Sequence, residues 1–137
     1  VDRSVFKGLL PPGEEYSEDV DESIEGIHQC TLIVDSEATA YFDIYMLSHL
    51  ESPRRPDKAT TFLKEADFEG EFLVWEKGAG ISFRCAADED NIYAYPRISI
   101  RFSHAPITDD EERRDAIEAF ARSYVEGVKE YQQCDYV

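Results

Sequence analysis

Three cysteines, three histidines and thirty carboxylates are the residues of this 137-residue chain whose chemistry could be put to use. Cys30, Cys85 and Cys134 lie far apart, form no C-x-x-C pair, and neither Cys85 nor Cys134 has a histidine within a few positions, so a zinc site is not expected. His28, His49 and His104 fall in separate segments, with no pair at metal-ligand or catalytic spacing. The motifs G-x-S-x-G, G-x-x-x-x-G-K-[ST] and G-x-G-x-x-G are absent. No catalytic residue, cofactor or metal is therefore expected. Two carboxylates can work as acid and base where their surroundings split their pKa values, but among so many the ordinary role of each is solvation. Asp88-Glu89-Asp90-Asn91 and Asp109-Asp110-Glu111-Glu112 lack the alternating ligands and glycine of a calcium loop, and read as a turn and a helix N-terminus.

Fourteen Lys and Arg against thirty Asp and Glu leave a formal charge of −16, while 42% apolar residues supply one core. The chain reads as a single domain, 1–137, with 1–13 an irregular arm. A chain of this length buries roughly two-thirds of its unfolded surface, which excludes disorder despite the acidity. No apolar run approaches the ~20 residues of a membrane span, and no stretch is basic enough to track phosphates. Nucleic acid and anionic membrane are poor partners; a protein or small ligand is the expectation, with a monomer as the default state. The chain begins at Val1 without a leader and is read as a mature or trimmed form.

After Pro11-Pro12-Gly13, Ser17 can cap a short helix to about Ile24, because Val20, Ile24 and Ile27 recur at helical spacing. Seven carboxylates and no base between Glu14 and Glu25 would keep that helix on the surface. From Cys30 the period becomes two: Cys30, Leu32 and Val34, a turn at Asp35-Ser36-Glu37, then Ala40, Phe42, Ile44 and Met46, a hairpin. Residues 49–70 read as a loop with one helical turn near Thr61 to Ala66. Strands Glu71 to Glu76 and Ile81 to Ala86 flank a turn at Lys77-Gly78-Ala79-Gly80, and a fifth strand runs from Ile92 to Phe102, with Pro96 marking an edge or a bulge. Thr108-Asp-Asp-Glu111 forms a capping box for a helix from about Asp109 to Gln133, whose stripe is Ile117, Phe120, Ala121, Tyr124, Val128 and Tyr131.

These elements predict an α+β fold: an antiparallel sheet of about five strands packed against a long C-terminal helix, with a short N-terminal helix. If the strands form a meander, Cys30, Cys85 and Cys134 gather at one pole. Such convergence favours a disulfide, and with it an oxidising compartment, over three buried thiols in the cytosol. On the other face of the sheet, alternation gathers Tyr41, Asp43, Tyr45, Arg84, Tyr93, Tyr95, Arg97 and Arg101. Tyrosine and arginine are enriched at binding hot spots, and in so acidic a chain the arginines reverse the local sign. The same residues also serve as ordinary cross-strand stabilisers.

Leu9-Leu10-Pro11-Pro12-Gly13, Cys30-Thr31-Leu32-Ile33-Val34-Asp35, a cysteine after the fourth strand and another ending the last helix resemble a family of uncharacterised secreted proteins and lipoproteins of Streptomyces-type actinobacteria. The resemblance spans nearly the whole chain. Several of those proteins carry a fourth cysteine ahead of the Leu-Leu-Pro-Pro-Gly segment, which this sequence lacks. The resemblance thus implies Cys85 and Cys134 as the bridge, Cys30 as the orphan and an exported location. It carries no activity.

The leading expectation is an exported, non-enzymatic cell-envelope domain that binds a ligand or partner through the Tyr/Arg face. The alternative is an acidic inhibitor or immunity-type protein that neutralises a basic enzyme through residues 14–25, since a field of this sign speeds encounter with cations. A hydrolase with an unrecognised carboxylate pair would need a concave pocket holding a carboxyl of raised pKa.

Overall fold

The computed structural model describes residues 9–52, 61–63, 70–85, 95–103, 105–132 and 134. Among these residues seven strands form one antiparallel sheet: β1 (Tyr16–Asp21), β2 (Ile27–Val34), β3 (Glu37–Leu47), β4 (Thr61–Leu63), β5 (Gly70–Trp75), β6 (Gly78–Phe83) and β7 (Tyr95–Phe102). Their spatial order is β1-β2-β3-β7-β6-β5-β4, and one helix, α1 (Asp110–Tyr131), packs across one face. The α+β class and the terminal helix stand as expected. The strand count does not: β4 is a three-residue edge strand where a helical turn was expected, and β1 replaces the N-terminal helix.

The reason for β1 lies in its charge. As a helix, residues 14–25 would stack carboxylates one turn apart, which is unfavourable. As an edge strand, all six residues of β1 stand in water on both faces. The register sets Tyr16 against Val34 and Val20 against Cys30. Asp35 anchors the entry to the strand, its carboxylate accepting from the backbone N–H of Glu14 and Glu15 at 3.1 and 2.9 Å. Asp35 and Ser36, both at positive φ, also make the two-residue turn between β2 and β3.

Two further corrections follow from β7, which pairs with β3 on one side and β6 on the other and so occupies the centre of the sheet. Pro96 is therefore not at a sheet edge; it sits at the start of β7, opposite Met46. The expected glycine turn is shorter, because Gly78 and Gly80 belong to β6 and only Glu76 and Lys77 turn the chain. At Gly78 a Cβ would meet the Ile100 carbonyl oxygen at 2.1 Å, so the close approach of β7 requires glycine there.

The core lies between the sheet and α1. Ala40, Phe42, Ile44, Ile98, Ile100, Phe102, Ala79, Ile81, Phe72 and Val74 face Ile117, Phe120, Ala121, Val125 and Val128. Phe120 packs at 5.3 Å edge-on to Phe102 and 5.5 Å from Phe42. Leu9, assigned by its sequence to a loose arm, is fully buried in the same core. The helix N-cap is Asp109, one residue later than the capping box predicted: its side chain accepts from the Glu111 N–H at 3.1 Å. Arg113 fastens this end by donating to the Glu76 and Ile107 carbonyls.

Cys85 and Cys134 are bonded, with Cα atoms 4.6 Å apart and 49 residues between them in sequence. The bridge pins the end of α1 to the end of β6. Cys30 is free and lies mid-strand in β2, so the three sulfurs do not share one pole. β2 begins at Ile27, three residues ahead of Cys30, so Cys30 sits level with Phe42, Ile100 and Ala79 in the middle of the sheet, whereas Cys85 lies beyond the end of β6.

Candidate functional site

The Tyr/Arg face divides into a closed end and an open end. Register brings Tyr45 opposite Arg97, Tyr41 opposite Arg101 and Tyr95 opposite Leu47. Arg97 is buried, its side chain 11% exposed, and its Nη1 donates to Glu51 Oε1 at 2.5 Å while its guanidinium lies 5.3 Å from the Tyr45 ring. That cation is spent inside the fold. Arg101 is exposed and stacks 4.2 Å over Tyr41, leaving Tyr41, Asp43, Ser99 and Arg101 as the open part of the face. Burial holds the Asp43 carboxyl above its usual range, and the charge of Arg101 opposes the shift. Arg84 follows β6 and is half-buried. Tyr93 lies outside the described residues, as do His104 and the Asp88–Asn91 turn.

A second site lies on the helix face, where sequence reasoning placed only core. Because α1 lies over β5 and β6 and reaches β3 and β7 through Phe120, β1 stays uncovered beside the helix and β2 is only partly covered. A groove of about 300 Å³ results. Its floor is Cys30, Phe42 and Ile44; Tyr124, Gly127, Val128 and Tyr131 form the helix wall, and Val20, Glu22 and His28 the other. Val20 is 54% exposed and Tyr131 71%, large apolar surfaces that the described residues leave uncovered. One end is closed by His28, whose Nδ1 shares a 2.9 Å hydrogen bond with Glu22 Oε1 and whose ring meets Tyr131 edge-on at 6.2 Å.

The groove presents mainly apolar surface, with a half-buried thiol in its floor. Cys30 is its one thiol, and burial first, and then the negative charges of Glu18, Asp19 and Asp43, push the pKa upward. A reactive cysteine needs the reverse, an electropositive setting that favours the thiolate. Burial raises the Tyr124 phenol as well, so this hydroxyl and the Cys30 thiol both keep their protons at neutral pH. Among the described residues no three His, Cys, Asp or Glu side chains are grouped to hold a metal ion. No described helix is long and apolar enough to cross a membrane.

The signal for the groove was present in the sequence but attached to the wrong element. Helical spacing sets Val20 on a helix, whereas the structure puts it on β1, the strand that extends the sheet beyond Cys30. Tyr131 ends the helical stripe that predicts core, and the structure leaves it exposed. Comparison of the chain with protein-family models, with curated proteins and with solved structures finds no match.

Proposed function

We propose that this chain is an exported, non-enzymatic domain of the cell envelope that binds a partner, and that it does so on the groove beside α1 and the adjoining strand β1. The observation that carries this reading is the groove itself: apolar floor and walls, exposed Val20 and Tyr131, and a thiol held neutral. Binding surfaces are concave and apolar with few polar groups, which fits this description. The Cys85–Cys134 bridge supports an oxidising compartment. The Tyr/Arg face is reduced as a candidate by the pairing of Arg97 with Glu51.

The test uses isotope-labelled protein titrated with a concentrated extracellular and envelope fraction. Resonances of Val20, Cys30, Tyr124, Gly127 and Tyr131 should shift. Gly127→Trp, which adds bulk where a Cβ meets nothing within 4 Å, should abolish the shifts without unfolding the helix. Shifts confined to Tyr41 and Arg101 would return the site to the other face, and turnover of a component would contradict the non-enzymatic reading.

A second reading, the acidic inhibitor of a basic protein, is favoured by one observation: β1 and its flanks carry seven carboxylates and no base from Glu14 to Glu25, all on exposed backbone apart from paired contacts such as Glu22 with His28.

A further inference from the structure

We infer that β1 is an acceptor for an extended, basic segment of a partner polypeptide, which adds to the sheet as its next strand; this rests on the reading of the β1 side as the binding surface. The backbone supplies the first argument. Asp35 N–H donates to the Glu15 carbonyl at 2.8 Å, one step outside the Tyr16–Val34 pair. In an antiparallel ladder that bond makes Tyr16–Val34 a non-hydrogen-bonded pair, so Ser17, Asp19 and Asp21 exchange bonds with β2. The N–H and C=O groups of Tyr16, Glu18 and Val20 therefore point away from the sheet. Among the described residues β1 pairs with β2 alone, and every residue of β1 is exposed. Three open donor–acceptor pairs form a ready template for strand addition.

Side chains supply the second argument, and they select the occupant. On the helix face β1 presents Tyr16, Glu18 and Val20, opposite Val34, Leu32 and Cys30. On the other face it presents Ser17, Asp19 and Asp21. A strand added at the edge would set alternate residues beside each row. Its apolar side chains would lie next to Val20, over the mouth of the groove, and its Lys or Arg side chains next to Asp19 and Asp21. A second copy of this chain is the wrong occupant. Two β1 edges paired antiparallel would bring their carboxylates together, between molecules that each carry a formal charge of −16. Like charges opposite one another are unfavourable, so the same residues that would attract a basic strand block self-assembly.

The experiment uses the intact, disulfide-bonded protein and the peptide acetyl-Lys-Val-Lys-Val-Lys-Val-amide as the probe, with two control peptides. One replaces Lys by Glu; the other is N-methylated at its Val amides, which leaves its charge unchanged, removes the donors of the residues that would lie beside Tyr16, Glu18 and Val20, and sets methyl groups against the edge. The expected result is binding that weakens with added salt, new exchange protection at the Tyr16, Glu18 and Val20 amides, and no binding by either control. Val20→Pro removes one outward N–H and leaves the β2 ladder intact, and should weaken binding at least about tenfold. Its Ser17 and Asp19 amides should stay protected. Binding of the N-methylated peptide as tight as that of the parent, or binding without protection of those three amides, would overturn strand addition in favour of charge attraction alone. No binding at millimolar peptide would overturn it as well. Neither result touches the groove, whose test is the Gly127→Trp titration: retained strand addition with no effect of that substitution would count against the groove reading instead.

Discussion

Val20 lies directly across the ladder from Cys30, so an exposed aliphatic side chain of the edge strand stands beside the one free thiol among the described residues. The pairing makes Cys30 a reporter for the whole β1 side. Burial and the charges of Glu18, Asp19 and Asp43 raise its pKa. Alkylation by iodoacetamide should therefore be slow at neutral pH, slower than in the denatured protein, and should accelerate only well into the alkaline range. Glu18→Gln and Asp19→Asn should each speed it, read by mass spectrometry over a pH series.

Asp43 and Arg101 make a pH-dependent pair. The folded protein raises the Asp43 pKa above its ordinary 3.8, so the folded state holds that proton more tightly than the unfolded state. The contribution of this group to stability is then greatest below pH 3.8 and is lost as pH rises through the higher folded value. Asp43→Asn should flatten that part of the stability profile and be more stable than the parent at neutral pH. Arg101→Gln should steepen it, since the guanidinium opposes the shift. Urea unfolding across a pH series reads both.

The bridge between Cys85 and Cys134 should dominate the stability of the helix end. A loop of this size is worth up to about 4 kcal/mol in the chain-entropy model. Cys85→Ala and Cys134→Ala should each lower stability by a similar amount, and the double substitution should add little further. Thermal unfolding with and without reductant provides the check.

Arg97 should depend on Glu51 more than any surface cation depends on its partner. With its side chain 11% exposed, removal of the carboxylate leaves a charge with little access to water. Because Glu51 itself is 45% exposed, the effect of Glu51→Ala is set at about 2 kcal/mol rather than at the full range for buried pairs. Glu118→Ala, which breaks a helical pair with Arg122, should change stability by less than about 0.5 kcal/mol.

Gly127 occupies an exposed helical position with no packing reason to be glycine. Gly127→Ala should stabilise the fold by about 0.5–1 kcal/mol, measured by urea denaturation.

Where the chemistry of residues is local, the sequence was legible. Alternation from Cys30 to Met46, the two short strands before Cys85 and the stripe ending at Tyr131 each require only near neighbours in the chain. The class followed from their order, and the α+β sandwich is what folds. Three features required knowledge of distant neighbours. β1 has no apolar alternation because both of its faces meet water, so the accidental spacing of Val20, Ile24 and Ile27 pointed to a helix. The place of β7 between β3 and β6 is a matter of pairing, and pairing decides why Gly78 must be glycine; the start of β2 at Ile27, three residues ahead of Cys30, is what keeps Cys30 remote from the other sulfurs. Arg97 carried no sign in the sequence that Glu51, across a long connection, would neutralise it. The candidate face was thus legible as a face, and its loss of free charge was not; the groove depended on β1 and was invisible without it.

The central claim, that β1 is an edge strand with an open outer side next to the groove, is tested most directly by amide hydrogen exchange on the isolated protein. Ser17, Asp19 and Asp21 amides should be protected by β2, while those of Tyr16, Glu18 and Val20 exchange near the free-peptide rate. Protection of all six would mean that the edge is already covered, and a helical pattern of protection over 17–24 would contradict the strand itself.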